Sequence, residues 1–255
     1  MKLLASDFDG TLKFNGQVLE DDLEAINKWR DEGNLFVIVT GRSEESIRGQ
    51  IEKHNVPADY LVTNNGGMVF DMHGEMLYSS QLDTITAIDL MYASHEIPFV
   101  ASYVVNDGRH RHKVVVHPNV METRYPNLEP DWTEEEIMDS GNFAQIVLSV
   151  ESPDNAVKLA ESINDYFGST VTAFANGFVV DIVPYGVDKG TGLQFITAWT
   201  GVDEDDVYAI GDGHNDIPML EACPNGAAIA FAPEDVRAAA REEVPSVGAL
   251  IESIE

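Results

Sequence analysis

The chain has 255 residues, is 44% hydrophobic and carries a formal charge of −29. This length allows one large or two smaller globular domains. Forty-four acidic against fifteen basic residues exclude nucleic acid and anionic membranes as natural partners, because a negative surface repels both. The acids are dispersed, which favours a solvated acidic surface, although binding of a cationic partner stays open.

Cysteine content and hydropathy indicate the cellular compartment of the protein. Cys223 is the only cysteine, so no intrachain disulfide can form. The apolar run in MKLLASDFDG is too short for a signal peptide, and no run approaches the length of a membrane span. We therefore expect a cytoplasmic protein, a monomer or small homo-oligomer.

Strand and helix patterns alternate at both ends of the chain. Residues 2–6, 35–39 and 60–62 predict strands, and helical patterns at about 22–32 and 43–54 lie between them. The alternation returns with a helix at 189–199, a strand at 207–210, a helix at 215–222, a strand at 227–230 and a final helical pair. This order predicts an α/β fold with a parallel sheet and right-handed crossovers.

The middle of the chain has a different pattern. Asp107-Gly108 separates two Val-rich runs and predicts a hairpin, and further strands flank a helix at about 153–166. Hairpins mixed with helices are typical of α+β structure. We therefore predict a core of residues 1–82 and 184–255, with an α+β domain of residues 83–183 inserted into it.

Two carboxylates follow the first predicted strand, in Asp7-Phe8-Asp9-Gly10-Thr11. In extended backbone, Asp7 and Asp9 share a face, and their repulsion is relieved when a cation lies between them. Mg²⁺ takes oxygen ligands of this kind, and Gly10-Thr11 allows the backbone to turn closely around an anion. A simple Asp-Gly turn after a strand is the alternative.

Three other segments also fall at predicted strand ends or helix starts, where open α/β sheets bind ligands. Thr40-Gly41-Arg42 offers a hydroxyl and free amides for phosphate, or a plain helix cap. Lys189 precedes a helix and is either a point charge for phosphate or an ordinary surface lysine. Gly211-Asp212-Gly213-His214-Asn215-Asp216 places three oxygen-bearing side chains in five residues, which indicates a hard cation; a capped Asp-Gly turn is the alternative.

In this order, the four segments resemble the motifs of the haloacid dehalogenase-like (HAD) phosphatases. Their forms Asp-x-Asp-Gly-Thr, Thr-Gly-Arg, Lys-Gly and Gly-Asp-Gly-x-Asn-Asp are similar to the Cof-type subgroup. The resemblance spans the chain and implies a Rossmann-like parallel-sheet core with an inserted α+β cap of the C2 type. It also implies a Mg²⁺-dependent phosphatase that hydrolyses small-molecule phosphate monoesters, such as sugar phosphates, through an aspartyl-phosphate.

The resemblance implies a role for each matching residue. Asp7 would be the nucleophile. Asp9 would be the general acid and base, and its carbonyl would bind the metal. Asp7 and Asp212 would hold Mg²⁺, supported by Asp216. The phosphate-binding residues would be Thr11, Thr40, Gly41, Lys189 and Asn215, of which Asn215 would either orient Lys189 or contact phosphate.

The sequence leaves alternatives open for the residues that select the substrate and for the molecule that accepts the phosphoryl group. Arg109 and Arg111 lie in a run of five bases and histidines on the predicted hairpin. They predict contacts with an anionic substrate, or else a solvated tip. Asn65 either contacts the leaving group or belongs to a tight turn. A phosphomutase or phosphotransferase would use the same intermediate, and a non-catalytic phosphometabolite-binding regulator would keep the fold without turnover.

Overall fold

The computed structural model describes residues 1–254 and divides the chain into two compact units. The first combines Met1–Tyr78 with the segment from Asp188 onward, and the second is Ser79–Val187. The crossings predicted near 82 and 184 lie about four residues inside these limits. Among residues 1–254, no helix has both the length and the apolar character needed to cross a bilayer.

Short connections join most elements of the first segment and of the second unit, and one long connection, residues 116–133, lies in the second unit. In chain order they are β1 (Leu3–Ser6), β2 (Lys13–Phe14), β3 (Gln17–Val18), α1 (Glu20–Asp31), β4 (Leu35–Val39), α2 (Glu44–His54), β5 (Tyr60–Thr63), β6 (Met68–Asp71), β7 (Met76–Ser79), α3 (Thr84–His95), β8 (Val100–Asn106), β9 (Arg111–Val115), α4 (Glu134–Ser140), β10 (Gln145–Val150), α5 (Pro153–Phe167), β11 (Val171–Asn176) and β12 (Val179–Pro184).

The last segment returns to alternating helices and strands. Its elements are α6 (Lys189–Thr200), β13 (Val207–Gly211), α7 (Ile217–Ala222), β14 (Asn225–Ile229), α8 (Glu234–Ala239), β15 (Glu242–Val244) and α9 (Val247–Ser253). The predicted final helical pair is therefore interrupted by a short edge strand, β15. Short 3₁₀ turns at Asn64–Gly66 and His214–Asp216 follow β5 and β13.

The first unit contains an eight-stranded sheet in the order β15-β14-β13-β1-β4-β5-β6-β7. Neighbours from β15 to β5 pair in parallel, whereas β6 pairs antiparallel with β5. The sheet is therefore mixed at one edge, where a wholly parallel sheet was predicted. Every residue of β1 is buried, as expected for a strand covered on both faces.

The second unit contains a five-stranded sheet in the order β11-β12-β10-β8-β9, in which every pair is antiparallel. One face packs against apolar residues of α3 and α5, including Leu90 and Leu159. The other face carries a smaller cluster of Val104, Val147 and Val179, covered by Tyr125 and Leu128. The unit has the α+β character expected for the inserted domain.

Candidate active site

Four adjacent strands of the first unit bring the predicted motifs to one edge of the sheet. The strands are β13, β1, β4 and β5, and they run in parallel. Asp212 follows β13, Asp7 follows β1, Thr40 follows β4 and the Asn64–Gly66 turn follows β5. Since parallel strands end at the same edge, segments far apart in the sequence meet there.

An acidic cluster with one lysine forms the centre of the site. Asp7, Asp212 and Asp216 each place a carboxylate oxygen within 4.8 Å of the others. Lys189 Nζ lies 2.6 Å from Asp7 Oδ1 and 2.5 Å from Asp216 Oδ1. The lysine is only 1% exposed, so the alternative of an ordinary surface lysine is wrong.

The electrostatics of the cluster favour a further cation. Burial raises the pKa of Asp7 well above its usual value; Lys189 opposes this shift, while Asp216 and Asp212 add to it. Burial also raises the pKa of Asp212. Burial lowers the pKa of Lys189, but its two carboxylate partners outweigh burial and raise it. One ammonium does not offset three carboxylates, and their oxygens are the ligand type that Mg²⁺ takes, so the residues fit a hard divalent cation.

Backbone geometry holds two of the carboxylates in place. Asp216 Oδ2 accepts hydrogen bonds from the backbone N–H groups of Asp212 at 3.0 Å and Gly213 at 2.8 Å. Its other oxygen is thereby left for Lys189. Asp212 Oδ1 accepts a bond from Thr11 Oγ1 at 2.7 Å. Gly10 has a φ of 99°, and a Cβ there would overlap the Asp212 carboxylate, so glycine is required at this position.

The predicted phosphate-binding residues meet beside this cluster. Asn65 donates its backbone N–H to the Thr40 carbonyl at 3.0 Å. Asn215 Nδ2 donates to Asn65 Oδ1 at 3.0 Å, and a Cβ on Gly41 would also lie 3.0 Å from that oxygen. Asn215 therefore contacts Asn65, and among the described residues Lys189 is oriented by two carboxylates of the acidic cluster instead.

The turn after β5 combines backbone strain with unpaired polar atoms. Asn64 and Asn65 have φ values of 51° and 53°, in the left-handed region that costs free energy for residues other than glycine. Both side chains are buried. In the part of the chain that is described, Asn65 Nδ2 and both polar side-chain atoms of Asn64 lack hydrogen-bond partners. Buried polar atoms of this kind are costly unless a ligand pairs with them.

Asp9 has a different environment from the other acids. Its carboxylate accepts two bonds from Arg42, at 2.5 Å from Nε and 2.8 Å from Nη2. Lys13 Nζ lies 3.8 Å from Asp9 Oδ1. The Asp9 side chain is 36% exposed, so it lies at the mouth of the site. The sequence analysis assigned no role to Arg42 or Lys13. Arg42 belongs to the Thr-Gly-Arg motif, and this is the feature of the sequence that could have pointed to it.

Arg109 and Arg111 belong to the second unit. The Arg109 backbone N–H donates to Asp107 Oδ1 at 2.8 Å at the hairpin tip. Arg111 lies on β9 opposite Asn106 of β8; it is half-buried, and its Nε has no hydrogen-bond partner among residues 1–254. The specificity role of the two arginines stays a prediction.

Solved structures of other proteins share this architecture. A phosphatase of the HAD superfamily from Bacteroides thetaiotaomicron superposes with a TM-score of 0.83, covers 99% of this chain and 93% of its own, and is 24% identical. A sugar phosphatase of HAD subclass IIB superposes at 0.80, covers 99% and 97%, and is 23% identical. At these identities the likeness shows the fold alone, an α/β core with an additional sheet.

The chain belongs to the haloacid dehalogenase-like hydrolase family, whose model matches residues 4–248. It is 27% identical to the phosphoglycolate phosphatase of Natronomonas pharaonis, over 93% of this chain and 88% of that protein. It is 23% identical to a 5-amino-6-(5-phospho-D-ribitylamino)uracil phosphatase of Bacillus subtilis, over 93% and 90%. The predicted family, α/β fold class and assignment as a phosphatase-type enzyme are confirmed.

Proposed function

We propose that this protein is a Mg²⁺-dependent phosphatase that hydrolyses small phosphorylated metabolites through an aspartyl-phosphate on Asp7, and that it acts in the cytoplasm. The observation that supports this most strongly is the buried contact of Lys189 with Asp7 and Asp216, with Asp212 in the same cluster. A nucleophilic carboxylate, a cation for phosphoryl oxygens and a metal-binding acid set are the parts that phosphoryl transfer needs.

Asp7 and Asp212 would hold the metal, with the Asp9 carbonyl that the family resemblance adds to them. Asp216 would support them, since its two oxygens already accept bonds from Lys189 and from backbone N–H groups. When bound, Mg²⁺ would offset the negative charge of the phosphoryl group and of the carboxylates. Lys189 would add a second positive charge from the buried side of the cluster. Thr11 Oγ1 is already bonded to Asp212, so we assign Thr11 to holding this ligand and leave phosphate contact to its neighbours.

In the first half-reaction, an Asp7 carboxylate oxygen attacks phosphorus and the bond from phosphorus to the ester oxygen breaks. The departing oxygen takes a proton from Asp9, which must enter this step protonated. The phosphoryl group is then covalently attached to Asp7. Splitting the hydrolysis into two displacements lowers each barrier.

In the second half-reaction, water attacks the phosphorus and gives its proton to the Asp9 carboxylate. The bond between phosphorus and Asp7 breaks, which releases inorganic phosphate and restores both acids. The two bonds from Arg42 fix the orientation of the Asp9 carboxylate, the group that accepts this proton.

Thr40, Gly41, Asn65 and Asn215 would surround the phosphoryl group. The bond from Asn215 fixes the orientation of the Asn65 side-chain amide. The Nδ2 of that amide has no partner among the described residues and is therefore available to donate to a ligand oxygen. We therefore propose that Asn65 contacts the phosphoryl end of the substrate. The named relatives suggest phosphoglycolate and a ribityl phosphate as substrates to test.

The proposal is tested with purified protein, a panel of phosphate monoesters, and Mg²⁺ or chelator. We expect phosphate release that needs Mg²⁺ and falls at least about a thousandfold in Asp7→Asn. Asp212→Asn should remove the rise in melting temperature that Mg²⁺ gives the wild type, since bound metal stabilises only a folded site.

Two other outcomes would contradict the proposal. Transfer of phosphate to an added sugar without release to water would indicate a phosphotransferase or mutase. Ester binding without turnover would indicate a regulator.

Glu24→Gln is the control, because Glu24 is exposed on α1 and its carboxylate lies outside the motifs. Its loss should leave phosphate release unchanged.

A further inference from the structure

Positive charge is concentrated beside Asp9, although the chain has only fifteen basic residues against forty-four acidic ones. Arg42 binds Asp9 through two nitrogens, and Lys13 approaches the same carboxylate. Each of these two bases forms an ion pair with Asp9. In an acidic protein, a pair of bases at the mouth of the site needs a specific explanation.

The two bases, Lys13 and Arg42, contact a polar face of α2. Ser46, Gln50 and His54 are four residues apart and so lie on one side of the helix. Arg42 Nη1 donates to Ser46 Oγ at 2.9 Å, and Lys13 Nζ donates to Gln50 Oε1 at 2.7 Å. His54 Nε2 is buried and, in the described chain, has no hydrogen-bond partner.

One carboxylate does not balance this positive charge. Lys13 Nζ and the Arg42 guanidinium carbon lie 5.7 Å and 6.0 Å from the centroid of the same Phe8 ring. The bases are therefore close enough to repel one another, and an additional anion would relieve that repulsion.

Both bases also have donors to spare. A guanidinium has five N–H donors and an ammonium three. Arg42 uses three in its bonds to Asp9 and Ser46. Lys13 uses one in its bond to Gln50 and approaches Asp9 with a second. Among residues 1–254, two donors on the arginine and one on the lysine therefore remain for a ligand.

We infer that Lys13 and Arg42, with the polar face of α2, form a subsite for a carboxylate on the alcohol part of the substrate. The inference rests on the proposed function, because Asp9 would then protonate the ester oxygen and the alcohol part would lie beside these bases. Arg42 already pairs with a carboxylate in the planar two-bond manner that guanidinium favours. The substrate class is therefore a phosphorylated hydroxy acid in which the carboxylate is few bonds from the ester oxygen.

The test compares 2-phosphoglycolate with 2-hydroxyethyl phosphate, which has a neutral hydroxymethyl group in place of the carboxylate. Their kcat/KM values are measured with Mg²⁺ for the wild type, Lys13→Gln, Lys13→Arg and Lys28→Gln. Lys28 is an exposed lysine on α1, and its substitution makes the same charge change elsewhere in the unit. Circular dichroism checks that each variant is folded.

We expect the wild type to prefer the carboxylate ester by at least about tenfold, the effect of one charge-assisted contact. Lys13→Gln should lose most of this preference, whereas Lys13→Arg and Lys28→Gln should keep it. Glycolate should inhibit the wild type more strongly than Lys13→Gln.

Equal kcat/KM for the two esters in the wild type would overturn the inference, as would a preference that Lys13→Gln leaves unchanged. Either result leaves the proposed phosphatase function intact, because phosphate is still released. If the wild type releases phosphate from neither ester nor from p-nitrophenyl phosphate, the proposed function itself is contradicted and the inference with it.

Discussion

Lys189 is the residue whose environment explains most of the site. It is buried, and the contacts at 2.6 Å to Asp7 and 2.5 Å to Asp216 supply its counter-charges. A buried ion pair seldom stabilises a fold, because desolvation offsets the attraction, but removal of one partner is strongly destabilising. Lys189 thus both holds Asp7, the proposed nucleophile, and keeps the acid cluster compatible with folding.

We predict that Lys189→Met lowers the free energy of unfolding by about 3–5 kcal/mol at neutral pH without metal, because two buried carboxylates lose their ammonium partner. Chemical denaturation in chelator measures this loss. The double variant Lys189→Met with Asp216→Asn should recover part of it, and Lys28→Met is the control at an exposed position. A Lys189→Met protein as stable as the wild type would contradict the account of the cluster.

The site residues that could be predicted from the sequence belong to short motifs at the ends of strands or the starts of helices. Asp7, Asp212 and Lys189 were expected together because parallel strands end at one edge. The pairing of Asp9 with Arg42, 33 residues away, was not predicted, since spacing along a chain does not fix which side chains meet. The side-chain atoms of Asn64 that lack partners among residues 1–254 are likewise visible only when the packing is known.

At the level of elements, strong periodic or continuous apolar patterns were predicted well and short edge strands were not. β4 is the Leu35–Val39 run read directly from the sequence. β15 has three residues, Glu242–Val244, of which two are exposed glutamates. So short a strand has no readable alternation, because its conformation depends on pairing with β14.

The link between α4 and the rest of the second unit provides a pH-dependent prediction. Glu134 lies 2.7 Å from His95 Nε2 and accepts a bond from Tyr103 Oη. Burial tends to raise the pKa of Glu134, but these two bonds outweigh it and lower the pKa below the usual 4.5. The folded state therefore favours ionised Glu134. The contribution of Glu134 to stability is present above its pKa in the unfolded chain, and it is lost as pH falls through its pKa in the folded protein.

We predict that Glu134→Gln lowers the free energy of unfolding by about 1 kcal/mol at pH 7, and that the difference from wild type shrinks below about pH 4. Urea unfolding across this pH range measures both values. Glu135→Gln, an exposed neighbour on α4, is the control and should differ from the wild type little at any pH. A Glu134→Gln deficit that grows on acidification would contradict the prediction.

At the level of the whole molecule, the charge of −29 acts on stability as well as on the choice of partner. Like charges spread over a surface repel one another and destabilise the compact state. Salt weakens this repulsion, since the Debye length falls from about 10 Å at 0.1 M to about 3 Å at 1 M.

We predict that the melting temperature rises when KCl is increased from about 0.1 M to about 1 M. Differential scanning calorimetry in chelator measures the shift without interference from bound metal. A melting temperature that falls with KCl would show that attractive ion pairs outweigh the repulsion.

The most direct test of the central claim is to trap phosphate on Asp7. Asp9→Asn removes the proposed acid and base, but p-nitrophenyl phosphate has a leaving group that needs little protonation. Rapid mixing with Mg²⁺ should therefore give a burst of about one p-nitrophenol per site. Acid quenching and peptide mass spectrometry should then find phosphate on Asp7. A folded, Mg²⁺-binding variant with no burst, or with phosphate on another residue, would contradict the aspartyl-phosphate mechanism.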